Sequence, residues 1–240
     1  MIKKLIKYII NKSGYNIFKI DSSQVHVTGM EEGLLRMKEL GILPDLIVDI
    51  GAAQGSWTNK GLKFWPNSRF ELIEPLIENE GYLKELKIAT KNINFHLAVA
   101  GESSGETWLE VSPDLDGSGV YGGPTLNSRR VPIVRVDDIV KEAGRSILLK
   151  LDTHGYELPI LKGAEETLGR TSLLVIEVYG FRISPTCLLF HELSAELENR
   201  GFRLIDMVDI MRRPGDQAFW QCDAFYIRKD HPVFANNSYV

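Results

Sequence analysis

Short runs of nearly unbroken apolar, β-rich sequence alternate with longer stretches of helical periodicity along most of this chain. A strand that is apolar at every position has to be covered on both faces, and parallel strands joined by crossover helices achieve that cover. This alternation constrains the fold more than any other feature. It predicts an α/β chain with helices on both sides of a mostly parallel sheet. The first such strand is Asp45-Leu46-Ile47-Val48-Asp49-Ile50, after a helical stretch over 30–40 that Gly41 and Pro44 end. Further strands are expected at 69–74, 93–99, 147–151 and 173–178. Helices are expected from Ser56, through Leu83 and Leu86, over 156–168 and over 188–199. Runs at 202–211 and 219–228, separated by Pro214-Gly215-Asp216, predict an antiparallel hairpin that closes the sheet.

With 240 residues, 44% of them hydrophobic, the chain can bury one sizeable core but is short for two. We therefore expect one catalytic domain over 45–240, with residues 1–44 as a helical segment packed on it. A net charge of -4 gives no broad basic surface of the kind that neutralises phosphate backbones, so no nucleic acid partner is expected. Cys187 and Cys222 lack C-x-x-C spacing and read as small buried residues of a reducing, cytoplasmic compartment. Residues 1–12 mix Lys3, Lys4, Lys7 and Lys12 with Ile2, Leu5, Ile6, Ile9 and Ile10. They read as a basic amphipathic helix, either packed on the domain edge or touching a partner or the inner, anionic face of a membrane. The region 101–130, punctuated by Gly105, Pro113, Gly117, Gly119, Gly122, Gly123 and Pro124, reads as an inserted hairpin with loops beside the substrate entrance.

The sharpest local motif is Asp49-Ile50-Gly51-Ala52-Ala53-Gln54-Gly55-Ser56, at the junction of the first strand with its helix. Glycines at 51 and 55 allow close backbone approach by a ligand. The spacing is not G-x-G-x-x-G, and a carboxylate at 49 suits a positively charged ligand better than a pyrophosphate. Glu74-Pro75 ends the second strand, where an acidic side chain can accept both hydroxyls of a ribose. The small residues Ala98 and Val99, at the end of the third strand, leave room for a flat base. Together these residues predict a Rossmann-like methyltransferase fold, a mostly parallel seven-stranded sheet with a C-terminal antiparallel hairpin, holding S-adenosyl-L-methionine. A nucleotide-dependent oxidoreductase uses similar parts and is the rival reading, as is a non-catalytic cofactor-binding subunit of the same fold.

A second constellation, Lys150-Leu151-Asp152-Thr153-His154-Gly155-Tyr156-Glu157, ends the fourth core strand, the edge at which open α/β sheets bind ligands. Asp152 and His154 are candidates to take the proton from an acceptor hydroxyl. Glu177, at the end of the fifth strand, is a third catalytic candidate. Asp152 and Glu177 offer a second use, holding a divalent metal that acidifies the hydroxyl.

The run Lys150-Leu151-Asp152, Gly155, Glu157, then Leu161-Lys162-Gly163-Ala164-Glu165 closely resembles the signature of the FkbM family of methyltransferases. Val48-Asp49-Ile50-Gly51-Ala52 with Gly55, Glu74-Pro75 and Val136-Asp137-Asp138-Ile139 extend the resemblance over 46–179. It implies O-methylation of a sugar, glycan or polyketide-type small-molecule acceptor. One departure is Thr153-His154, where family members commonly carry Val-Glu. It leaves open which group is the base.

Overall fold

The segments Leu46–Ile50 and Ile147–Leu151 are buried at every position, as strands between two helical layers must be. They are β1 and β7 of a computed structural model that describes residues 29–141 and 144–239. Ahead of β1 lies α1 (Met30–Glu39); after it come α2 (Ser56–Phe64), β2 (Arg69–Ile73), α3 (Glu80–Ala89) and β3 (Ile93–His96). Then follow β4 (Val99–Ala100), β5 (Gly105–Glu110), β6 (Ser128–Val134) and α4 (Val136–Val140). After β7 the chain forms α5 (Glu157–Lys162), α6 (Glu165–Leu168), β8 (Thr171–Tyr179), α7 (Phe190–Asn199), β9 (Phe202–Arg212) and β10 (Phe219–Arg228).

The main sheet has the order β3-β2-β1-β7-β8-β10-β9. Its strands are parallel except β10, which runs antiparallel to both neighbours. Strand order reverses between β1 and β7, so a crevice opens beyond their carboxyl ends. Side chains alternate between two cores. Val48, Ile50, Leu149, Leu151 and Ile176 pack on Ile160, Leu161, Leu193 and Leu197. On the other face Ile47, Leu148, Val175 and Phe225 pack on Leu34, Met37 and Trp57. Each such side chain contributes about 1.5–3 kcal/mol when fully buried, so these two layers hold the strand ends in place.

The strand expected over 93–99 is two strands. The Ala98 N–H donates to the His96 carbonyl at 3.1 Å, and the resulting turn hands β4 to a separate three-stranded sheet, β4-β6-β5. The insertion accordingly reaches Val134, and its Leu109, Val131 and Ile133 form a third cluster with Leu76 and Val99. The helix expected over 156–168 breaks into α5 and α6 at Gly163, where a Cβ would lie 1.9 Å from the Gly101 carbonyl oxygen. Both cysteines are free and buried. The basic segment 1–12, with its membrane or partner contact, lies outside the described residues. Among those residues no helix is long and apolar enough to cross a membrane.

Candidate active site

Gly51 leaves β1 in the left-handed region, at φ 72°. A Cβ there would stand 2.0 Å from the Asp152 carbonyl oxygen, so the ends of β1 and β7 meet at a distance only glycine tolerates. Gly55, at φ 81°, caps α2, and a Cβ there would stand 2.7 Å from Leu86 Cδ2. The close approach that both glycines permit is thus made first by the chain's own segments.

A cavity of about 500 Å³ lies over this turn, within the usual range of small-molecule sites. Gly51, Gln54, Ser56, Glu74, Pro75, Ala98 and Val99 line it on one side. Asp152, His154 and Glu177 line it on the other. Loop residues Asp114, Leu115 and Asp116 from the insertion also line it.

Asp49, Ala52 and Gly55 do not line the cavity. Asp49 was expected to face a cationic ligand. It is instead wholly buried beneath the turn, where Thr58 Oγ1 donates to it at 2.5 Å and Lys150 Nζ lies 3.1 Å away. Asp49 and Lys150 are register partners on neighbouring strands, which sets the two charges side by side. Burial works against the Lys150 ammonium, but the attraction of Asp49 and Asp152 outweighs it and holds its pKa above the ordinary lysine value. Lys150 also donates to the Gly51 carbonyl at 2.9 Å, tying β7 to the glycine turn.

Glu74 is buried, and burial raises its pKa despite the hydrogen bonds that favour the anion. Its Oε2 accepts from the Ala53 N–H at 2.8 Å; its Oε1 accepts from the Leu76 N–H at 2.9 Å and from Asn79 Nδ2 at 3.2 Å. A carboxylate offers about four lone-pair positions, so one stays open to a ligand where two were expected.

Beyond β7 the chain turns sharply. His154 takes a left-handed backbone at φ 53°, unusual for a residue with a side chain, and Gly155 follows at φ 91°. The buried Glu157 pins this turn, accepting from Thr153 Oγ1 at 3.1 Å and from the Gly155 N–H at 3.0 Å. Thr186 Oγ1 secures the Gly155 carbonyl at 2.8 Å. The turn sets His154 Nε2 3.8 Å from Asp152 Oδ1 and 3.9 Å from Glu177 Oε2. Those separations are too long for direct hydrogen bonds.

Continuing the β7–β8 register by one residue places Asp152 beside Glu177, and Glu177 pairs with Asp223 on β10. Three carboxyl groups therefore stand abreast. Burial first, then repulsion from Asp152 and Asp223, pushes Glu177 up to about 9; burial and Asp152 push Asp223 up to about 7. Tyr179 Oη and Gln221 Nε2 both donate to Glu177. Gln221 and Asp223 escaped the sequence reading. Their signal is the i, i+2 spacing in Phe219–Arg228, which puts two polar side chains on one face of an otherwise apolar strand.

Comparison with known proteins bears on this arrangement. No curated protein matches the sequence. A solved FkbM methyltransferase from Methylobacillus flagellatus KT is similar, with a TM-score of 0.52 and 20% identity over 76% of this chain and 43% of that one. This chain thus spans less than half the length of that protein. A weaker likeness, with a TM-score of 0.48 and 12% identity, covers 95% of this chain and 88% of the 1,6-didemethyltoxoflavin-N1-methyltransferase of Burkholderia thailandensis, solved with bound 1,6-didemethyltoxoflavin and S-adenosylhomocysteine. The first of these shows a shared Rossmann-like fold. A model of the methyltransferase FkbM domain matches residues 49–204, a span that holds both the glycine turn and the Asp152–Glu157 turn. On that match the chain belongs to the FkbM family of methyltransferases.

Proposed function

We propose that this protein is an S-adenosyl-L-methionine-dependent O-methyltransferase acting on a hydroxyl of a sugar, glycan or polyketide-type acceptor. The observation that carries this reading is that one cavity has the glycine turn and Glu74 on one wall and Asp152, His154 and Glu177 on the other. The residues present fit the cofactor. The open lone pair of Glu74 suits a ribose hydroxyl, Ala98, Val99 and Leu76 make an apolar slot for a base, and Gly51, Gln54 and Ser56 face the remaining end. Bound there, S-adenosyl-L-methionine supplies an activated methyl group.

The protein's task is then to align the acceptor oxygen and remove its proton. Neither Asp152 nor Glu177 holds the His154 ring by a hydrogen bond, so an acceptor hydroxyl has room to come between them. Asp152 and His154 share the role of base. Glu177 keeps its proton near neutrality and serves as a donor oriented by Tyr179 and Gln221. A second reading comes from geometry: one ligand atom each from Asp152, His154 and Glu177 lie within 4.8 Å of one another, within reach of a single divalent ion.

An oxidoreductase is disfavoured by the lining itself. Among the described residues no lysine or arginine lines the cavity, which suits a dinucleotide pyrophosphate poorly. Calorimetric titration with S-adenosyl-L-methionine should show one-site binding, and NMR of the product formed from ¹³C-methyl cofactor should place the label on oxygen. Binding of a nicotinamide dinucleotide without binding of S-adenosyl-L-methionine would end the proposal, and cofactor binding without turnover on any alcohol would favour a non-catalytic subunit.

A further inference from the structure

The charged residues of the cavity wall are all of one sign. Glu74, Asp114, Asp116, Asp152 and Glu177 line it, and among the described residues His154 is the sole basic side chain that does. Three of the five carboxyl groups are engaged within the chain. Glu74 holds the turn, and Asp114 accepts from Ser112 Oγ at 2.6 Å and from the Gly117 N–H at 3.4 Å. Glu177 accepts from Tyr179 Oη and Gln221 Nε2, which leaves Asp116 and Asp152. Lys150 offsets Asp152 only in part, because it is 3% exposed, lies 3.1 Å from Asp49 and 2.9 Å from the Gly51 carbonyl, and stands farther, 3.6 Å, from Asp152. Asp223 adds a further acidic group behind Glu177.

We infer that the acceptor carries a protonated amine close to the hydroxyl that is methylated, which makes amino sugars and amino alcohols the substrate class. This rests on the methyl-transfer reading above. An ammonium has three N–H donors, one of which the Asp152 carboxylate can take, and a Glu177 oxygen lies within 4.8 Å of that carboxylate. His154 then faces the neighbouring hydroxyl. An acceptor bearing phosphate or carboxylate meets like charge on every side and is rejected by it. Magnesium is a weaker match for the trio, because it prefers near-octahedral oxygen ligands and one of the three groups is an imidazole.

The test uses four acceptors of one skeleton: methyl 2-amino-2-deoxyglucoside, its N-acetyl derivative, methyl glucoside and methyl glucuronide. With the full-length protein, kcat/KM for the amino sugar should exceed that for the neutral sugar by about tenfold or more, since charge-assisted hydrogen bonds add roughly 1.5–3 kcal/mol. The N-acetyl derivative should lose that gain and the glucuronide should not turn over. Asp116→Asn should raise KM for the amino sugar about threefold more than it raises KM for the neutral sugar. Calorimetry on cofactor-loaded protein gives a readout independent of turnover, with the amino sugar alone of the four expected to bind measurably. The inference is overturned by equal or better use of the N-acetyl or glucuronide acceptor, by methylation at nitrogen, by no amino sugar binding to loaded protein, or by activity lost to EDTA and restored by magnesium with every acceptor. Failure to bind S-adenosyl-L-methionine is read separately and sinks the underlying methyl-transfer reading.

Discussion

The two walls of the crevice handle charge in opposite ways. On the glycine-turn side every carboxylate is compensated: Asp49 has Thr58 and Lys150, and Glu74 has three donors. On the opposite side Asp152, Glu177 and Asp223 stand abreast, burial and the neighbouring carboxyl groups raise the proton affinity of Glu177 and Asp223, and His154 stays nearly 4 Å from its acidic neighbours. A wall whose polar groups are already satisfied is rigid and binds a ligand without rearranging. A wall with unspent charge stores the capacity to take a proton or a cation. On the proposed reading, the first side holds the cofactor and the second carries the chemistry.

The largest test of that contrast exchanges two residues of the second side and one of the first. Asp152→Asn and His154→Ala should each lower kcat by about 10²–10⁴-fold while leaving the cofactor Kd within roughly threefold. Glu74→Ala should do the reverse, weakening cofactor binding about tenfold to a hundredfold, the loss of a charged hydrogen bond. Equal damage to Kd from all three would erase the division. Next in size is the buried ion pair beneath the turn. Lys150→Met leaves Asp49 buried without its cation and should cost about 3–5 kcal/mol in urea unfolding, and adding Asp49→Leu should recover most of it. If the single change is harmless, the satisfied side is not held by this pair.

The smallest effect concerns proton uptake. Glu177 rises from an ordinary 4.5 to about 9, so between those values the folded chain keeps a proton that the unfolded chain has lost. Its contribution is full below pH 4.5 and disappears as pH climbs through about 9. Glu177→Gln imitates the protonated form and should flatten that decline, raising Tm at pH 9 by roughly 4–8 °C, equivalent to about 2 kcal/mol, with little change at pH 5. An unchanged pH profile of stability would mean that the carboxyl groups do not press on one another.

Much of this arrangement was legible in the sequence because burial leaves a strong mark. Strands β1 and β7 are covered on both faces and read as apolar runs, and the turn after β1 announces itself through Gly51 and Gly55. The break between β3 and β4 left no mark, since Leu97 and Ala98 continue the apolar run and the sharp turn there is a backbone event. Gly163 was read through as helix, because the constraint on it comes from Gly101, some sixty residues away in sequence. The catalytic candidates on the second wall were found from their place at strand ends. Gln221 and Asp223 were not, because a polar residue at alternate positions of a late strand has the same pattern as an ordinary solvent-facing one. Lys150 carried a signal that went unused: a lysine inside a fully buried strand requires a buried anion beside it, and Asp49 was its register partner.

The placement of β10 between β8 and β9 also bears on how the protein is made. The strand that supplies Gln221 and Asp223 comes last in sequence among the strands of the sheet, yet it lies between β8 and β9. The nascent chain therefore carries an open edge on β8 until residue 228 emerges, and β9 joins only as half of a finished hairpin. On the proposed reading, a chain cut short before this strand would keep the glycine turn and lack the support of Glu177 that Gln221 supplies.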